Sequence, residues 1–325
     1  MTAPLLTPTL EHALPVDRDL VHCATFALAW AELQRLLGSE DVLVEPTELS
    51  RSLSRAALLA ADALDPAESF AGAGEGGAAL AAIRAGLARR FGEAQTRLLP
   101  QSVPAHALVA FAFLRATIAF ERPFLRDCAQ GLAFRGSRVQ CFGHWGGSGA
   151  GVYAGAATVH RHESPGDFVV ELRGRGGASI VVARRGGWST LADATHDALA
   201  AVDRGPGRWA RLWGQASLQD DDILQVPVVS LRADASFEGL LGRPIVPGDR
   251  VLVAACQTME LDVDERGARI VSEALALGVK SRRRRGRELV CDGPFLLALR
   301  RAGAQSPYFA AWLQSGAAFL PVDPP

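Results

Sequence analysis

The sequence contains almost no lysine. Of its 34 basic side chains, Lys280 is the only lysine and all the others are arginine, a bias typical of a GC-rich genome. The 35 acidic side chains leave a formal net charge of -1. A charge this close to zero argues against bulk electrostatic binding to nucleic acid or to an anionic membrane, although a local basic cluster can still act.

Long apolar runs and paired cysteines are also missing. No stretch approaches the roughly 20 apolar residues that a membrane-spanning helix needs, and residues 1–19 lack the basic head and apolar run of a signal peptide. The five cysteines are far apart and form no C-x-x-C pair, which disfavours a disulfide framework and a zinc site. Free thiols predict a cytoplasmic protein with no membrane partner.

Motifs for catalysis and for cofactors are weak. No Ser/His/Asp or Cys/His signature appears, so the sequence predicts no enzyme and no cofactor. His160 and His162 would share one face of a strand, but no third ligand supports a metal site, and we interpret them as solvent-facing. Asp220, Asp221 and Asp222 lack the alternating spacing of a calcium loop and are interpreted as a solvated helix end.

The pattern of apolar residues predicts helices followed by strands. With 49% hydrophobic residues, the 325-residue chain can build a large core. Helical spacing predicts helices over 20–37, from Thr47 to about 64 and over 78–94, with Thr47 or Ser50 as the cap of the second. Residues 66–77 are interpreted as a loop. The predicted strands are 42–44, 106–120, 152–160, 168–172, 179–183, 223–231, 252–263, 295–300 and 308–313. Helices first and largely antiparallel strands afterwards predict an α+β fold.

The most informative segment is residues 259–295. It begins with a predicted strand, Met259 to Val263, and a turn that leads the chain out through Gly267. About 25 residues follow before the next predicted strand opens at Pro294. Loops of this length in a compact domain are either functional or disordered.

This segment resembles the serpin family. Residues 261–268, LDVDERGA, stand in register with the proximal hinge of that family, and residues 293–300, GPFLLALR, resemble the strand that follows its reactive loop. Further matches occur in the family's chain order at residues 42–50, 108–124, 222–242 and 306–312. Together the matches cover most of residues 20–320.

The resemblance implies a single serpin-like domain over residues 1–325. It implies helices packed on large, mostly antiparallel sheets, with an exposed reactive-centre-type loop at residues 268–293. Only some 40 residues separate the second predicted helix from the strand at His106, so the main sheet is expected to be narrower than in the family. In this family a protease cuts the loop, the hinge side inserts into the sheet as a new strand, and the protease is trapped as its acyl-enzyme.

The resemblance implies a set of hinge residues, of which those from Ala268 onwards fall on one face of an inserted strand. The set is Glu265, Gly267, Ala268, Ile270, Ser272 and Ala274. An inserted strand buries every second side chain, and the set from Ala268 to Gly278 carries no charge. The sequence therefore permits insertion, although Val271, Leu275 and Val279 also fit a helical step.

A basic run surrounds the position at which the family is cleaved. The cleavage-loop candidates are Lys280, Ser281, Arg282, Arg283, Arg284 and Arg285. An arginine- or lysine-directed protease would find a basic side chain at almost any register, and it is the predicted partner. The alternative is a solvated charge cluster that keeps the loop exposed. Nucleic acid binding is disfavoured because no aromatic residues interleave with the run.

Three functional interpretations stay open. The first is a suicide inhibitor of an arginine- or lysine-directed protease, which the uncharged face of the hinge favours. The second is a non-inhibitory serpin-like substrate or switch that is cut in the loop and then changes or releases another protein partner, which a narrow sheet favours. The third is a plain binding or structural module.

Overall fold

The computed structural model of the chain describes residues 3–146, 153, 155–207, 215–252, 254–268 and 286–322. The described residues contain nineteen strands and four α-helices.

The largest sheet in the described residues has seven strands. Its strands are β1 (Leu5–Thr7), β2 (Leu20–Cys23), β8 (Ala157–Ser164), β9 (Asp167–Arg173), β10 (Ser179–Arg184), β18 (Phe295–Arg300) and β19 (Phe309–Leu313). They lie in the order β1-β2-β19-β18-β10-β9-β8, and every pair is antiparallel apart from β1 and β2.

The central strand β18 shows why its sequence is continuously apolar. Phe295, Leu297 and Leu299 point into the main core, whereas Leu296 and Ala298 belong to a second core cluster on the opposite face. Successive side chains of a strand point to opposite faces. A strand covered on both faces therefore needs apolar residues at every position.

Four smaller sheets complete the β-structure of the described residues. A four-stranded sheet of order β17-β11-β7-β6 contains β6 (Leu125–Phe134), β7 (Ser137–Trp145), β11 (Ile223–Pro227) and β17 (Glu288–Val290). A second four-stranded sheet of order β12-β15-β16-β5 contains β5 (Ile118–Ala119), β12 (Val229–Ser236), β15 (Cys256–Asp264) and β16 (Gly267–Ala268). The two remaining pairs join β3 (Ser69–Glu75) to β4 (Leu108–Leu114) and β13 (Pro244–Ile245) to β14 (Arg250–Val251).

Four helices cover these sheets. They are α1 (Thr25–Leu37), α2 (Glu48–Ala63), α3 (Gly76–Phe91) and α4 (Leu191–Arg204). Helix α1 packs against β3 and β4, and α4 packs against the seven-stranded sheet. Of the helices in the described ranges, none has the length and apolar character needed to cross a membrane.

The predicted α+β class is confirmed, but several local predictions were wrong. Residues 42–44, predicted as a strand, form only an isolated bridge at Leu43. Residues 20–23 are a strand and not the first turn of a helix, because they pair with β1 and β19. Residues 69–75, interpreted as part of a loop, form β3 and pair along their full length with β4. Their glycines suggested a turn but instead admit α3: a side chain at Gly74 would come within 2.5 Å of the Ala79 side chain.

The start of α2 is fixed by a reciprocal cap. The amide of Ser50 donates to Thr47 Oγ1 at 3.1 Å, and the amide of Thr47 donates to Ser50 Oγ at 2.8 Å. Of the two caps that the sequence offers, Thr47 is therefore the N-cap. We expect Thr47→Ala to lower the free energy of unfolding by about 1 kcal/mol, with a smaller loss for Thr47→Ser, which keeps the hydroxyl. Urea unfolding measures both, and equal stability of all three proteins would refute the capping role.

His22 on β2 predicts a stability that depends on pH. The side chain is fully buried, and its Nδ1 lies 3.3 Å from the carbonyl oxygen of Thr7. Burial lowers the pKa of His22 from 6.5 to about 4; the Thr7 carbonyl and Glu11 act in the opposite direction, and His12 adds to the lowering. The unfolded chain therefore binds a proton at a higher pH than the folded protein does.

The sign of the effect follows from this difference. The stabilisation by neutral His22 is fully present above pH 6.5 and is lost as the pH falls towards 4, by about 3 kcal/mol in all. Urea unfolding at a series of pH values should show this slope in the native protein and lose it in His22→Gln. His196 is exposed, so His196→Gln is the matched control and should keep the slope. An unchanged slope in His22→Gln would contradict the prediction.

Candidate functional site

Two residues of the predicted hinge, Gly267 and Ala268, lie between two strands of a sheet. After β15, a turn at Glu265 and Arg266 reverses the chain into β16. Gly267 and Ala268 pair with Asp264 and Val263 on one side and with Ala119 and Ile118 on the other. We expected the turn to lead the chain out of the sheet. That expectation was wrong, because Gly267 and Ala268 join the sheet as β16.

Gly267 is required by this close approach. Its φ is 129°, and a side chain at this position would lie 1.9 Å from the carbonyl oxygen of Ile118. Ala268, which follows, is only 2% exposed. The hinge begins with a residue that allows strand contact and continues with a small apolar side chain that the core accommodates.

A buried ion pair holds the turn before the hinge. Arg126 Nη1 on β6 donates to Glu265 Oε2 at 3.0 Å, and both side chains are largely buried. The second terminal nitrogen of Arg126 donates to Gln140 Oε1. The amides of Phe124 and Phe120 donate to the carbonyl oxygens of Glu265 and Arg266, each at 2.8 Å. The β17-β11-β7-β6 sheet thus fixes the N-terminal end of the predicted loop.

A second ion pair fixes the C-terminal end. Asp222 is 2% exposed, and one of its oxygens accepts the backbone amide of Arg287 at 2.8 Å. The Arg287 guanidinium donates to the same carboxylate and to the carbonyl oxygens of Gln215 and Ser217. Burial disfavours the charged carboxylate, but the bonds from Arg287 outweigh it and lower the pKa of Asp222.

The edge of β15 next to the hinge is open over most of its length. On that edge β15 pairs with β16 only at Val263 and Asp264. In the described ranges, Cys256 to Asp262 have no strand partner there, and β4 pairs only with β3. Helix α1 packs against both β4 and β15. Strands β4 and β15 thus both pack against α1. Among the described residues, β4 has one edge without a strand partner, and so does β15 apart from Val263 and Asp264.

The remaining site residues divide between the described and the undescribed parts of the chain. Glu265, Gly267 and Ala268 lie at the hinge as given above. Ile270, Ser272 and Ala274 lie outside the described residues, as do all the cleavage candidates, Lys280, Ser281, Arg282, Arg283, Arg284 and Arg285. The predicted exposed range of 268–293 is too wide at both ends, because Ala268 lies in β16 and residues 288–290 form β17.

The sequence missed the polar partners of the loop ends. Asp222 was interpreted as part of a solvated helix end, which is wrong, since it is buried against Arg287. Arg126 carried no signal, because its partner Glu265 is 139 residues away. A buried carboxylate must be paired, but no local pattern identifies such a distant partner.

The interpretation of His160 as solvent-facing was also wrong. Its side chain is 2% exposed, and Nε2 lies 3.1 Å from Glu171 Oε2. Burial alone would raise the pKa of Glu171, but the bond to His160 and the charge of Arg173 lower it to about 2. Within the part of the chain that the structure describes, no three His, Cys, Asp or Glu side chains lie close enough to hold a metal ion.

The arrangement of sheets and hinge defines a serpin-like fold. SRPN18 from Anopheles gambiae is similar over 93% of this chain and 93% of its own, with 14% identity and a TM-score of 0.50. A serpin from the trematode Schistosoma haematobium has 12% identity, 91% and 93% coverage and a TM-score of 0.49. A complex of thyroxine-binding globulin with thyroxine has 12% identity, 92% coverage of both chains and a TM-score of 0.48.

The similarity to SRPN18, at a TM-score of 0.50 and 14% identity, establishes the fold alone. No family model matches the chain, and no curated protein matches it. The structure supports the statement that the chain has a serpin-like architecture.

Proposed function

We propose that the protein is a suicide inhibitor of an arginine- or lysine-directed protease. The protease cleaves within the basic run of residues 280–285 and forms an ester between its nucleophile and the new carboxyl end. The hinge side of the cut loop then inserts between β15 and β4 and carries the acyl-enzyme with it. The protein itself performs no catalysis.

The observation that carries this proposal is the position of β16. Gly267 and Ala268 already pair with strands on both sides, and the unpaired edge of β15 continues from that point. Every further residue inserted there would gain backbone hydrogen bonds and alternate apolar burial. The charge-free set of side chains that begins at Ala268 meets the requirement for the buried face.

Fixed loop ends support the same mechanism. The C-terminal side of the cut is held in place by two contacts. Arg287 bonds to Asp222, and β17 pairs with β11. Insertion therefore moves only the N-terminal side of the loop. The bonds of Arg287 also make the peptide bond after it a poor substrate, which places the cut before it.

The second candidate is a non-inhibitory substrate or switch. The narrow sheet that would receive the loop favours it, because β5 and β16 have only two residues each and a narrow sheet stores less strain for trapping a protease. In that case the loop is cut and a protein partner is changed or released, with no trapped enzyme.

A denaturing gel separates the two functions. The full chain is incubated with a trypsin-type serine protease, and inhibition predicts a heat-stable adduct whose mass is that of the protease plus the N-terminal fragment. Clean cleavage without an adduct would support the substrate function and exclude trapping. Replacing Lys280 and the four arginines at 282–285 by glutamine should abolish both products.

Ala268→Glu supplies the matched hinge control. It places a charge at a buried position of β16 and leaves the basic run intact. We expect this variant to be cleaved as fast as the native protein but to give no adduct. An undiminished adduct yield in Ala268→Glu would refute insertion at this position.

A further inference from the structure

A cavity lies next to the strand that pairs with the hinge. It has a volume of about 150 Å³ and is bounded by the C-terminal end of α2, the connection from β4 to β5, and the hairpins β9–β10 and β18–β19. Leu64, Leu114 and Ile118 form an apolar part of its lining. A cavity of about this volume holds a molecule the size of benzene.

Two arginines line the same cavity and retain unused bonding capacity. Arg301 donates from Nη2 to the carbonyl oxygen of Asp62 at 2.9 Å and lies 4.0 Å from the Asp62 carboxylate, but its Nε–H is buried without an acceptor among the described residues. Arg175 donates to the carbonyl oxygen of Glu121 at 3.3 Å and has no carboxylate within ion-pair distance in the same residues. Buried donors are normally paired, and a planar carboxylate is the acceptor that suits a guanidinium best.

Glu68 lines the cavity together with the two arginines. Its Oε1 accepts the amide of Thr117 at 3.4 Å. The titratable and charged groups that line the cavity with it are Asp65, Arg175, Arg301 and Tyr308. Burial raises the pKa of Glu68, and the charge of Asp65 raises it further, while the Thr117 amide lowers it. A protonated Glu68 would donate a hydrogen bond to an anion instead of repelling it.

We propose that this cavity binds a small monocarboxylate, with its carboxylate on Arg301 and Arg175 and its apolar part on Leu64, Leu114 and Ile118. The volume suits an apolar part of about the size of benzene. Ile118 also pairs with Ala268, so the bound molecule would lie directly beside the strand that receives the hinge. The proposal does not depend on protease inhibition.

Calorimetric titration of the full chain with benzoate tests the site. We expect one binding site, with affinity at least about tenfold weaker for benzamide, which has the same shape without the charge. Arg301→Gln should weaken benzoate binding by about tenfold or more, whereas Arg204→Gln on the exposed face of α4 should leave it unchanged. Ala116→Leu, which fills the cavity without altering a charge, should abolish binding.

Glu68 adds a readout that a general charge effect would not move. Benzoate binding should tighten as the pH falls, and Glu68→Gln should bind at least as tightly as the native protein and lose this dependence. Thermal melting of each variant confirms that it is folded. No heat of binding at about 10 mM benzoate, equal affinity for benzamide, or equal effects of Arg301→Gln and Arg204→Gln would overturn the proposal.

Discussion

Asp222→Ala is expected to lower the free energy of unfolding by about 3–5 kcal/mol. Asp222 is almost fully buried and accepts bonds from the backbone and the side chain of Arg287 and from the amide of Gln219. Its removal leaves the Arg287 guanidinium charged and without its carboxylate. Losing one partner of a buried pair is far more harmful than replacing the pair by apolar residues, because the remaining charge stays desolvated.

Urea unfolding with Asp221→Ala as the control measures this effect. Asp221 is the preceding residue, is half-buried and forms no ion pair among the described residues, so its replacement should change stability by less than about 0.5 kcal/mol. If Asp222→Ala lowers the free energy of unfolding no more than Asp221→Ala does, the Asp222–Arg287 pair does not hold the C-terminal end of the loop.

Arg126→Ala is the second substitution with a large expected effect, again about 3 kcal/mol or more. It leaves Glu265 buried with only the longer 3.5 Å contact to the half-exposed Arg266, and beside Asp264, whose own pKa is raised by burial and by the charge of Glu265. Two neighbouring carboxylates without the arginine repel each other. The turn before β16 therefore loses both a bond and its charge balance, and the hinge should open more easily.

A double-mutant cycle isolates the pair. If Arg126 and Glu265 act together, the loss in the double variant Arg126→Ala and Glu265→Ala should be smaller than the sum of the single losses by at least about 1 kcal/mol. Arg122→Ala, on an exposed turn nearby and without an ion pair in the described residues, is the control. Fully additive losses would mean that the 3.0 Å contact does not stabilise the hinge.

Local patterns identified the parts of the fold that depend on continuous burial. The apolar runs at 295–300 and 308–313 predicted two strands, and the structure places them side by side in the seven-stranded sheet, where both faces are covered. In the hinge sequence at 261–268 the strand and the turn were predicted, but the entry of Gly267 and Ala268 into the sheet as β16 was not. Its glycine and its charge pattern suit a turn followed by a buried strand, and β15, the turn and β16 follow in that order.

The missed features depend on contacts between distant parts of the chain. Residues 69–75 have the composition of a loop, and only the partner strand 108–114 makes them a strand. The Asp222–Arg287 and Arg126–Glu265 pairs join residues 65 and 139 positions apart. Charge in a sequence predicts exposure by default, so a buried pair is visible only after the fold brings both members together.

The central claim is that the cut loop inserts as a strand along the open edge of β15, and thermal melting of the cut protein tests it most directly. The full chain is cleaved once in the basic run, separated from the protease and melted beside the uncut protein. Insertion adds a strand of hydrogen bonds and apolar burial, so the cut form should melt about 10 °C or more above the uncut form. An equal or lower melting temperature after cleavage would contradict insertion and the inhibitory mechanism with it.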